Sequence, residues 1–191
     1  MDNLIERGDL AFRLMRDDLL DYRLMSKWLT DPRVLEFYDG RDNPLPLKQA
    51  AEKYSPRILS SEGVTPCFLL YRGTAIGYLQ YDPVTEEVRA SYDLGDSDVD
   101  GTYSMDLFIG ETGYWGQGIG TQAVSLFLEY LFGIRAARKV VIDPHVDNFR
   151  AIRCYEKCGF RRVKILSKHE LHEGEYRDSC LMELDVKAWR G

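Results

Sequence analysis

Asp106 is the residue whose type and position most suggest chemistry, because it interrupts an apolar and aromatic stretch, Thr102–Ile109, that has the composition of a buried strand. Glycines follow at positions 116, 118 and 120, directly before an apolar segment. Glycine has no Cβ, so successive backbone N–H groups can close on an anion. A helix that begins there adds unsatisfied N–H groups and the positive end of its dipole. The stretch therefore predicts a phosphate-binding turn beside a carboxylate.

The composition favours one globular domain. With 191 residues, 45% of them hydrophobic, the chain can bury a sizeable core, and we expect a single domain over residues 1–191. The formal net charge of −6 argues against nucleic acid as a partner. No apolar run reaches the ~18 residues that a membrane span needs, and residues 1–3 do not begin a signal peptide. We therefore expect a cytoplasmic protein without a membrane partner.

Most of the negative charge lies in residues 82–106, where eight acidic residues and one basic residue, Arg89, give a local charge of −7. A solvated loop explains such a run, and so does a surface that attracts a cationic ligand. The sequence does not choose which of Asp96, Asp98 and Asp100 would contact that ligand.

Cysteine and histidine spacing gives little support for a metal. The four cysteines have no framework spacing and lie in or beside apolar segments, as reduced core thiols do. Cys154 and Cys158 are one helical turn apart, but no second close pair completes a tetrahedral zinc site. His169 and His172 are three residues apart, and we expect them on a loop surface. We therefore predict no metal site.

Hydrophobic periodicity and turn residues predict the elements that position Asp106. We expect strands over residues 10–14, 65–71, 75–81, 87–92, 102–109, 139–143, 160–167 and 179–185. We expect helices over residues 17–30, 33–38, 47–54, 120–132 and 149–157, with Asp17 and Asn148 as N-caps and Gly159 as a stop. Strands pair directly in the first half and alternate with helices in the second, which predicts an α/β fold with a mixed, mostly antiparallel sheet flanked by helices.

Two motifs together resemble the GNAT superfamily of N-acetyltransferases. Residues 115–121, Trp-Gly-Gln-Gly-Ile-Gly-Thr, are similar to the superfamily's acyl-CoA-binding turn. Residues 148–160, Asn-Phe-Arg-Ala-Ile-Arg-Cys-Tyr-Glu-Lys-Cys-Gly-Phe, are similar to its asparagine–tyrosine helix. The resemblance covers nearly the whole chain and implies a GNAT-type sheet and acetyl-CoA as co-substrate, with no metal. Trp115 is a departure, because the superfamily often has Gln or Arg three residues before Gly118.

Four further segments resemble the aminoglycoside 6′-N-acetyltransferases, and most of all the acetyltransferase half of the bifunctional acetylating and phosphorylating enzymes. They are residues 33–42, 103–110, 142–145 and 169–174. The resemblance implies acetyl transfer from acetyl-CoA to the 6′-amine of antibiotics such as kanamycin or tobramycin, by direct attack in a ternary complex, and hence antibiotic resistance.

Two other functions stay open at this point. One is a GNAT enzyme that acetylates protein N-termini or another small amine, and the other is a non-catalytic acyl-CoA or drug-binding module. The local charge of −7 and the match around residues 103–106 favour the aminoglycoside. Monomer and homodimer are equally compatible with the sequence.

By the resemblance, the cofactor contacts the turn and the central strand. Backbone N–H groups of the turn would bind the pyrophosphate, and the strand edge would bind the pantetheine arm and the thioester oxygen. The cofactor-binding candidates are Leu107, Ile109, Trp115, Gln117, Gly118, Gly120, Thr121 and Asn148.

Asp106 is expected to face the incoming amine. A carboxylate of pKa ~4 cannot simply deprotonate an ammonium of pKa ~10, because a difference of about six units costs about 8 kcal/mol. We expect it to hold the cationic substrate and to accept a proton, directly or through water, once the attacked nitrogen has become acidic in the tetrahedral intermediate. The alternative is a carboxylate that is merely hydrogen-bonded in the sheet.

The remaining candidates are an acid and several substrate contacts. Tyr155 would protonate the leaving thiolate, since donation from pKa ~10 to a thiolate of ~8.5 is uphill by only about 2 kcal/mol; a core aromatic is the alternative. By resemblance, Asp143 and Glu173 would bind the polycation, and Tyr38 and Tyr103 would be aromatic walls. Each of these four also has a solvated or core explanation.

Overall fold

The computed structural model describes residues 3–59, 63–95 and 100–191. The strands are β1 (Ile5–Arg7), β2 (Leu10–Leu14), β3 (Thr65–Tyr71), β4 (Thr74–Pro83), β5 (Thr102–Ile109), β6 (Lys139–Ile142), β7 (Arg161–His172) and β8 (Glu175–Asp185). The helices are α1 (Leu19–Trp28), α2 (Pro32–Leu35), α3 (Leu47–Ile58), α4 (Glu86–Ser91), α5 (Ile119–Glu129) and α6 (Phe149–Lys157).

One sheet contains these strands in the order β1-β2-β3-β4-β5-β6-β8-β7. The β5–β6 ladder is parallel, whereas the β1–β2, β2–β3, β3–β4, β6–β8 and β7–β8 ladders are antiparallel. The predicted α/β fold with a mixed, mostly antiparallel sheet is confirmed. In the part of the chain that the model describes, no helix has the length and apolar character needed to cross a membrane.

The chain divides into two compact units, each with a core. The first unit comprises Met1–Tyr81 and Asp106–Ala123, and the second comprises Asp82–Met105 and Val124–Gly191. The expectation of a single domain over residues 1–191 stays a prediction.

Aromatic side chains form the core of the first unit. The ring centroid of Trp28 lies 5.3 Å from that of Phe68 and 6.0 Å from that of Phe108, in edge-to-face contacts. Helix α1 contributes Trp28 together with Met25 and Tyr22, because a spacing of three residues puts all three on one face. Burial of such large side chains contributes roughly 1.5–3 kcal/mol each.

The N-cap of α1 is Asp18, and the prediction of Asp17 is wrong. The Asp18 carboxylate accepts hydrogen bonds from the N–H groups of Leu20 and Asp21, both at 2.9 Å. Asp17 instead accepts a hydrogen bond from the hydroxyl of Tyr22. The two adjacent aspartates have the same capping propensity, so propensity alone could not choose between them.

Two glycines let backbone and aromatic rings approach closely around β5. A Cβ on Gly110 would lie 2.2 Å from Cγ of Trp28, and a Cβ on Gly77 would lie 2.4 Å from the carbonyl oxygen of Phe108. Real Cβ atoms do not approach that closely, so only glycine fits. The end of β5 is therefore fixed against α1 and β4.

One hydrophobic cluster of the second unit packs against Val88 of α4. Val141, Leu166 and Leu181 pack there with Tyr92 and Leu94. The strand expected over residues 87–92 is wrong, since α4 occupies Glu86–Ser91. Its N-cap, Thr85, accepts a hydrogen bond from Val88 N–H, and two glutamates occupy its first turn, where the helix dipole stabilises negative charge.

The β7–β8 hairpin is longer than predicted. Its turn consists of Glu173 (φ 52°) and Gly174 (φ 78°), and positive φ at both residues is typical of a two-residue hairpin turn. The polar stretch before it belongs to β7, so the expectation of His169 and His172 on a loop surface is wrong. His172 is 3% exposed.

Other expectations differ little from the structure. Strands over residues 65–71 and 102–109 are confirmed, and Asn148 is the N-cap of α6, accepting from Ala151 N–H at 3.1 Å. Helix α3 extends to Ile58 and α2 ends at Leu35, while β1 was not predicted. Gly159, at φ 97°, follows α6 as the expected stop.

The Gly110→Ala variant should be destabilised by about 1–3 kcal/mol, the usual cost of an overpacked core. Urea unfolding followed by tryptophan fluorescence measures this. The matched control is Gly113→Ala, because a Cβ at Gly113 meets no heavy atom within 4 Å. Equal stability of the two variants would contradict the close approach to Trp28.

Candidate active site

The carboxylate of Asp106 is held by a relay of side chains in the first unit. Asp106 is exposed on β5, and its Oδ2 accepts a hydrogen bond from Nε2 of Gln80 at 2.8 Å. The Gln80 oxygen, Oε1, accepts from Nη1 of Arg57 at 2.8 Å and from the hydroxyl of Tyr78 at 2.9 Å. Two donors on that oxygen fix the orientation of the amide, so its NH₂ group must point towards Asp106.

Neutral aromatic rings lie beside this relay. The ring of Tyr38 contacts Phe108 at 4.6 Å and Tyr78 at 6.5 Å, centroid to centroid. Burial raises the pKa of Tyr38 well above its ordinary value, and charges that include Asp106 raise it further. Burial likewise raises the pKa of Tyr78. Both phenols stay protonated, so neither adds a negative charge beside the carboxylate.

The glycine-rich turn has the backbone geometry that the sequence predicted. Gly116 (φ 75°) and Gly118 (φ 77°) lie in the left-handed region that favours glycine. A Cβ on either would meet no heavy atom within 4 Å, so space above the turn is open. Helix α5 begins at Ile119, one residue earlier than expected. The turn therefore presents the first N–H groups of a helix of eleven residues.

Trp115, the departure from the superfamily motif, ties the turn to β5. Its indole Nε1 donates a hydrogen bond to the carbonyl of Ile109 at 2.8 Å. The Gln117 side chain donates to the carbonyl of Gly113 at 2.7 Å. Both side chains thus stabilise the turn from within, which leaves the backbone as the part of the turn suited to an anion.

Glu111 anchors the start of the turn, and the sequence reasoning missed it. Its carboxylate accepts from Nε1 of Trp28 at 2.9 Å and pairs with the ammonium of Lys27. Burial pushes the pKa of Glu111 up, but the bonds from Lys27 and Trp28 outweigh it, and the net effect is a pKa below the ordinary 4.5. The partners lie 83 and 84 residues away in the chain, so no local pattern could reveal the contact.

Gln80, Arg57 and Tyr78 were also missed. The available signal was weak: Gln80 is a polar residue in an apolar strand and shares its strand face with Tyr78 through two-residue periodicity. Nothing in the sequence links either of them to Arg57 on α3.

In the second unit, Asp143 lies beside a histidine. Its Oδ2 lies 3.1 Å from Nε2 of His169. The hydrogen bond to Asp143 raises the pKa of His169, and burial opposes this only in part. The ring of Tyr92 lies 5.6 Å from the His169 ring. The predicted substrate carboxylate therefore already has a hydrogen-bond partner, His169.

The other predicted residues of the second unit occupy distinct elements. Tyr155 on α6 is 7% exposed, and its ring lies 5.8 Å from that of Phe160. The Asn148 amide oxygen caps α6, Tyr103 lies opposite Val140 in the β5–β6 ladder, and Glu173 is in the hairpin turn. Their contacts with a cofactor or substrate stay predictions.

The acidic run is partly neutralised by local partners. Asp93 pairs with Lys164 at 2.8 Å and Asp100 with Arg138 at 3.5 Å. Asp96 and Asp98 lie outside the described residues. These two aspartates are exposed and paired, in keeping with a solvated surface.

Comparison with known proteins defines the class. A family model described as Acetyltransferase (GNAT) domain matches residues 17–168. The chain therefore belongs to the GNAT acetyltransferase family, and the resemblance to that superfamily seen in the sequence is confirmed.

The relatives define a narrower group. The aminoglycoside N(6′)-acetyltransferase type 1 of Klebsiella pneumoniae is 32% identical over 155 residues, which cover 80% of this chain and 74% of that protein. The crystal structure of aminoglycoside acetyltransferase AAC(6′)-Ib in complex with coenzyme A and kanamycin is 28% identical, with a TM-score of 0.73 over 94% of this chain and 96% of that one. The Vibrio cholerae spermidine N-acetyltransferase, solved with CoA and spermine, has a TM-score of 0.76 over 95% and 98% of the two chains but 16% identity, so it shows the fold alone.

The Glu111→Gln variant should lose stability in a pH-dependent way. A carboxyl whose pKa is lowered by folding stabilises the protein above its unfolded pKa, and this stabilisation is lost as the pH falls through the folded value. We therefore expect Glu111→Gln to be less stable than wild type near pH 7 and the difference to shrink below about pH 4.5. Thermal melts across pH 3.5–7.5 measure this, and a difference that grows towards acid would contradict the assignment.

Proposed function

We propose that this protein transfers the acetyl group of acetyl-CoA to the 6′-amine of an aminoglycoside antibiotic and thereby confers resistance. The observation that carries the proposal is the oriented carboxylate of Asp106, which lies on the strand that leads into the glycine-rich turn. Family membership and the 32% identity to an aminoglycoside N(6′)-acetyltransferase support the reaction and its substrate class.

The turn is suited to the diphosphate of the coenzyme. Gly116 and Gly118 leave open space at its surface, and the N-terminus of α5 adds N–H groups and the positive end of the helix dipole. The backbone of Gln117, Gly118, Gly120 and Thr121 would supply these donors, with Leu107 and Ile109 beside the pantetheine arm. The complexes of the similar structures with coenzyme A support this assignment.

Asp106 would act on the amine in two stages. The exposed carboxylate attracts the protonated amine. The ammonium then loses one proton to solvent, and the resulting neutral amine attacks the thioester carbonyl. The nitrogen of the resulting tetrahedral intermediate is strongly acidic, so the carboxylate can take its proton directly or through water. The hydrogen bond from Nε2 of Gln80 to Oδ2 holds this exposed carboxylate on β5.

The finer roles rest on the resemblance. Tyr155 would protonate the departing thiolate, while Asp143 and Glu173 would bind further ammonium groups, with Tyr38 and Tyr103 as walls. For Asp143 this requires exchange of its His169 partner for a substrate ammonium. Likeness to the acetyltransferase half of the bifunctional enzymes also remains part of the proposal.

Steady-state release of CoA, measured with kanamycin, amikacin and an N-terminal peptide side by side, tests the function. We expect turnover with kanamycin, acetylation at the 6′-nitrogen in the product, and no turnover with the peptide. Asp106→Asn should lower kcat at saturating substrate by about 10²–10⁴-fold, the usual contribution of a general base. Preference for the peptide would overturn the substrate class, and full turnover by Asp106→Asn would overturn the base.

A double-mutant cycle tests Gln80 as a positioning residue. Loss of a hydrogen bond to a charged group costs roughly 1.5–3 kcal/mol, so Gln80→Leu should lower kcat about ten- to hundredfold with an unchanged KM for acetyl-CoA. If Gln80 acts through Asp106, the double variant should be no slower than Asp106→Asn alone.

The control for this cycle is Gln49→Leu, the same substitution at an exposed position of α3. It should leave kcat unchanged. Additive losses in the double variant would show that Gln80→Leu acts through general destabilisation instead.

A further inference from the structure

Three potential metal ligands cluster on the second unit. They are His145, Glu170 and His172, whose ligand atoms all lie within 4.8 Å of one another. Nε2 of His145 is 2.9 Å from Oε2 of Glu170, and the two imidazole rings have centroids 4.6 Å apart at an interplanar angle of 87°. The cluster joins a residue just beyond β6 to two residues near the end of β7.

Strand pairing explains why these side chains meet. His145 forms an antiparallel bridge with Ser179 of β8, and Glu170 and His172 lie opposite Arg177 and Glu175 of the same strand. Residues directly opposite in an antiparallel pair share a face, and so do alternate residues along one strand. The three ligands therefore project from one face of the sheet, held by β8 between them.

The donor set suits a transition metal. Imidazole nitrogens favour Zn²⁺ and its neighbours, and two histidines with one carboxylate leave a fourth position for water in tetrahedral Zn²⁺ sites. His145 is 7% exposed and His172 is 3% exposed, while the Glu170 side chain is 51% exposed. The site thus has a largely desolvated interior and an opening through which an ion can enter beside Glu170.

A buried hydroxyl provides an independent observation at the same place. Ser179 is 0% exposed, and its Oγ has no hydrogen-bond partner within the described parts of the chain. Because Ser179 lies directly opposite His145, its side chain is on the face that carries the ligands. A metal-bound water in the fourth position would satisfy this oxygen, whose desolvation otherwise costs roughly 1–3 kcal/mol.

From these observations we propose that His145, Glu170 and His172 form a three-ligand site for a divalent ion of the Zn²⁺ class. Ligands at about 2.0–2.2 Å from a tetrahedral ion are about 3.3–3.6 Å apart. Binding therefore requires the His145–Glu170 pair, 2.9 Å apart, to open slightly and any pair near the 4.8 Å limit to close, and the exposed Glu170 has freedom to move. Arg177 carries a positive charge that opposes the binding of a cation. Asp147 offsets this charge, with its Oδ2 3.6 Å from Nη1 of Arg177. The ion would clamp β7 to the segment that follows β6.

Cobalt provides the direct test. Tag-free full-length protein, stripped with EDTA and dialysed, is titrated with Co²⁺ and followed by visible absorption, and Zn²⁺ affinity is then measured by competition. We expect a 1:1 complex with the visible bands of four- or five-coordinate cobalt and a rise in Tm on addition of Zn²⁺. Glu170→Gln and His172→Gln should each bind at least about tenfold more weakly.

Two controls make the result decisive. Glu175→Gln removes an exposed carboxylate from the same hairpin and His169→Gln removes a neighbouring histidine, and both should bind Co²⁺ like wild type. Glu170→Gln alters an exposed side chain, so it stays informative should His172→Gln fail to fold. An intense near-ultraviolet thiolate band would assign the ion to Cys154 and Cys158 and overturn the proposal, as would wild-type affinity in Glu170→Gln or no binding at all.

Discussion

The packing of Trp28 beneath Gly110 is the constraint on which the first unit depends. The indole ring fills the space that a Cβ would need, so the end of β5 is pressed onto α1. The same indole donates its N–H to Glu111, which leads into the glycine-rich turn. A single buried side chain thus fixes the strand end through van der Waals contact and the start of the turn through a hydrogen bond. Since Asp106 lies on β5, four residues upstream of Gly110, these contacts also fix the position of its backbone.

Hydrogen bonds, and not the packing of Trp28, orient the Asp106 carboxylate. An amide can present either its oxygen or its NH₂ group, and Gln80 would be ambiguous if Arg57 and Tyr78 did not both donate to the oxygen. Arg57 on α3 and Tyr78 therefore orient the Gln80 amide so that its NH₂ group donates to the Asp106 carboxylate. This arrangement also leaves the Asp106 side chain exposed, which is what attraction of a polycation requires.

The second unit is governed by histidine–carboxylate pairs on one sheet face. Asp143 with His169 and His145 with Glu170 join the end of β6 to β7 across β8. The hydrogen bond from His145 lowers the pKa of Glu170, although burial opposes it. These pairs connect strands that are far apart in the sequence. They therefore stiffen the β7–β8 hairpin in the residues that the sequence had predicted to form a loop.

The sequence by itself determined the fold class, the central strand, the glycine-rich turn and the Asn148 cap, because strand periodicity, positive-φ glycines and capping are local properties. Family resemblance added the substrate class. Tertiary structure alone decided the Gln80 relay, the Glu111 anchor and the burial of His172. The physical reason is that these features depend on contacts between residues distant in the chain. The packing energy of a whole unit exceeds the differences of roughly a few tenths of a kcal/mol between the local conformations open to a short segment.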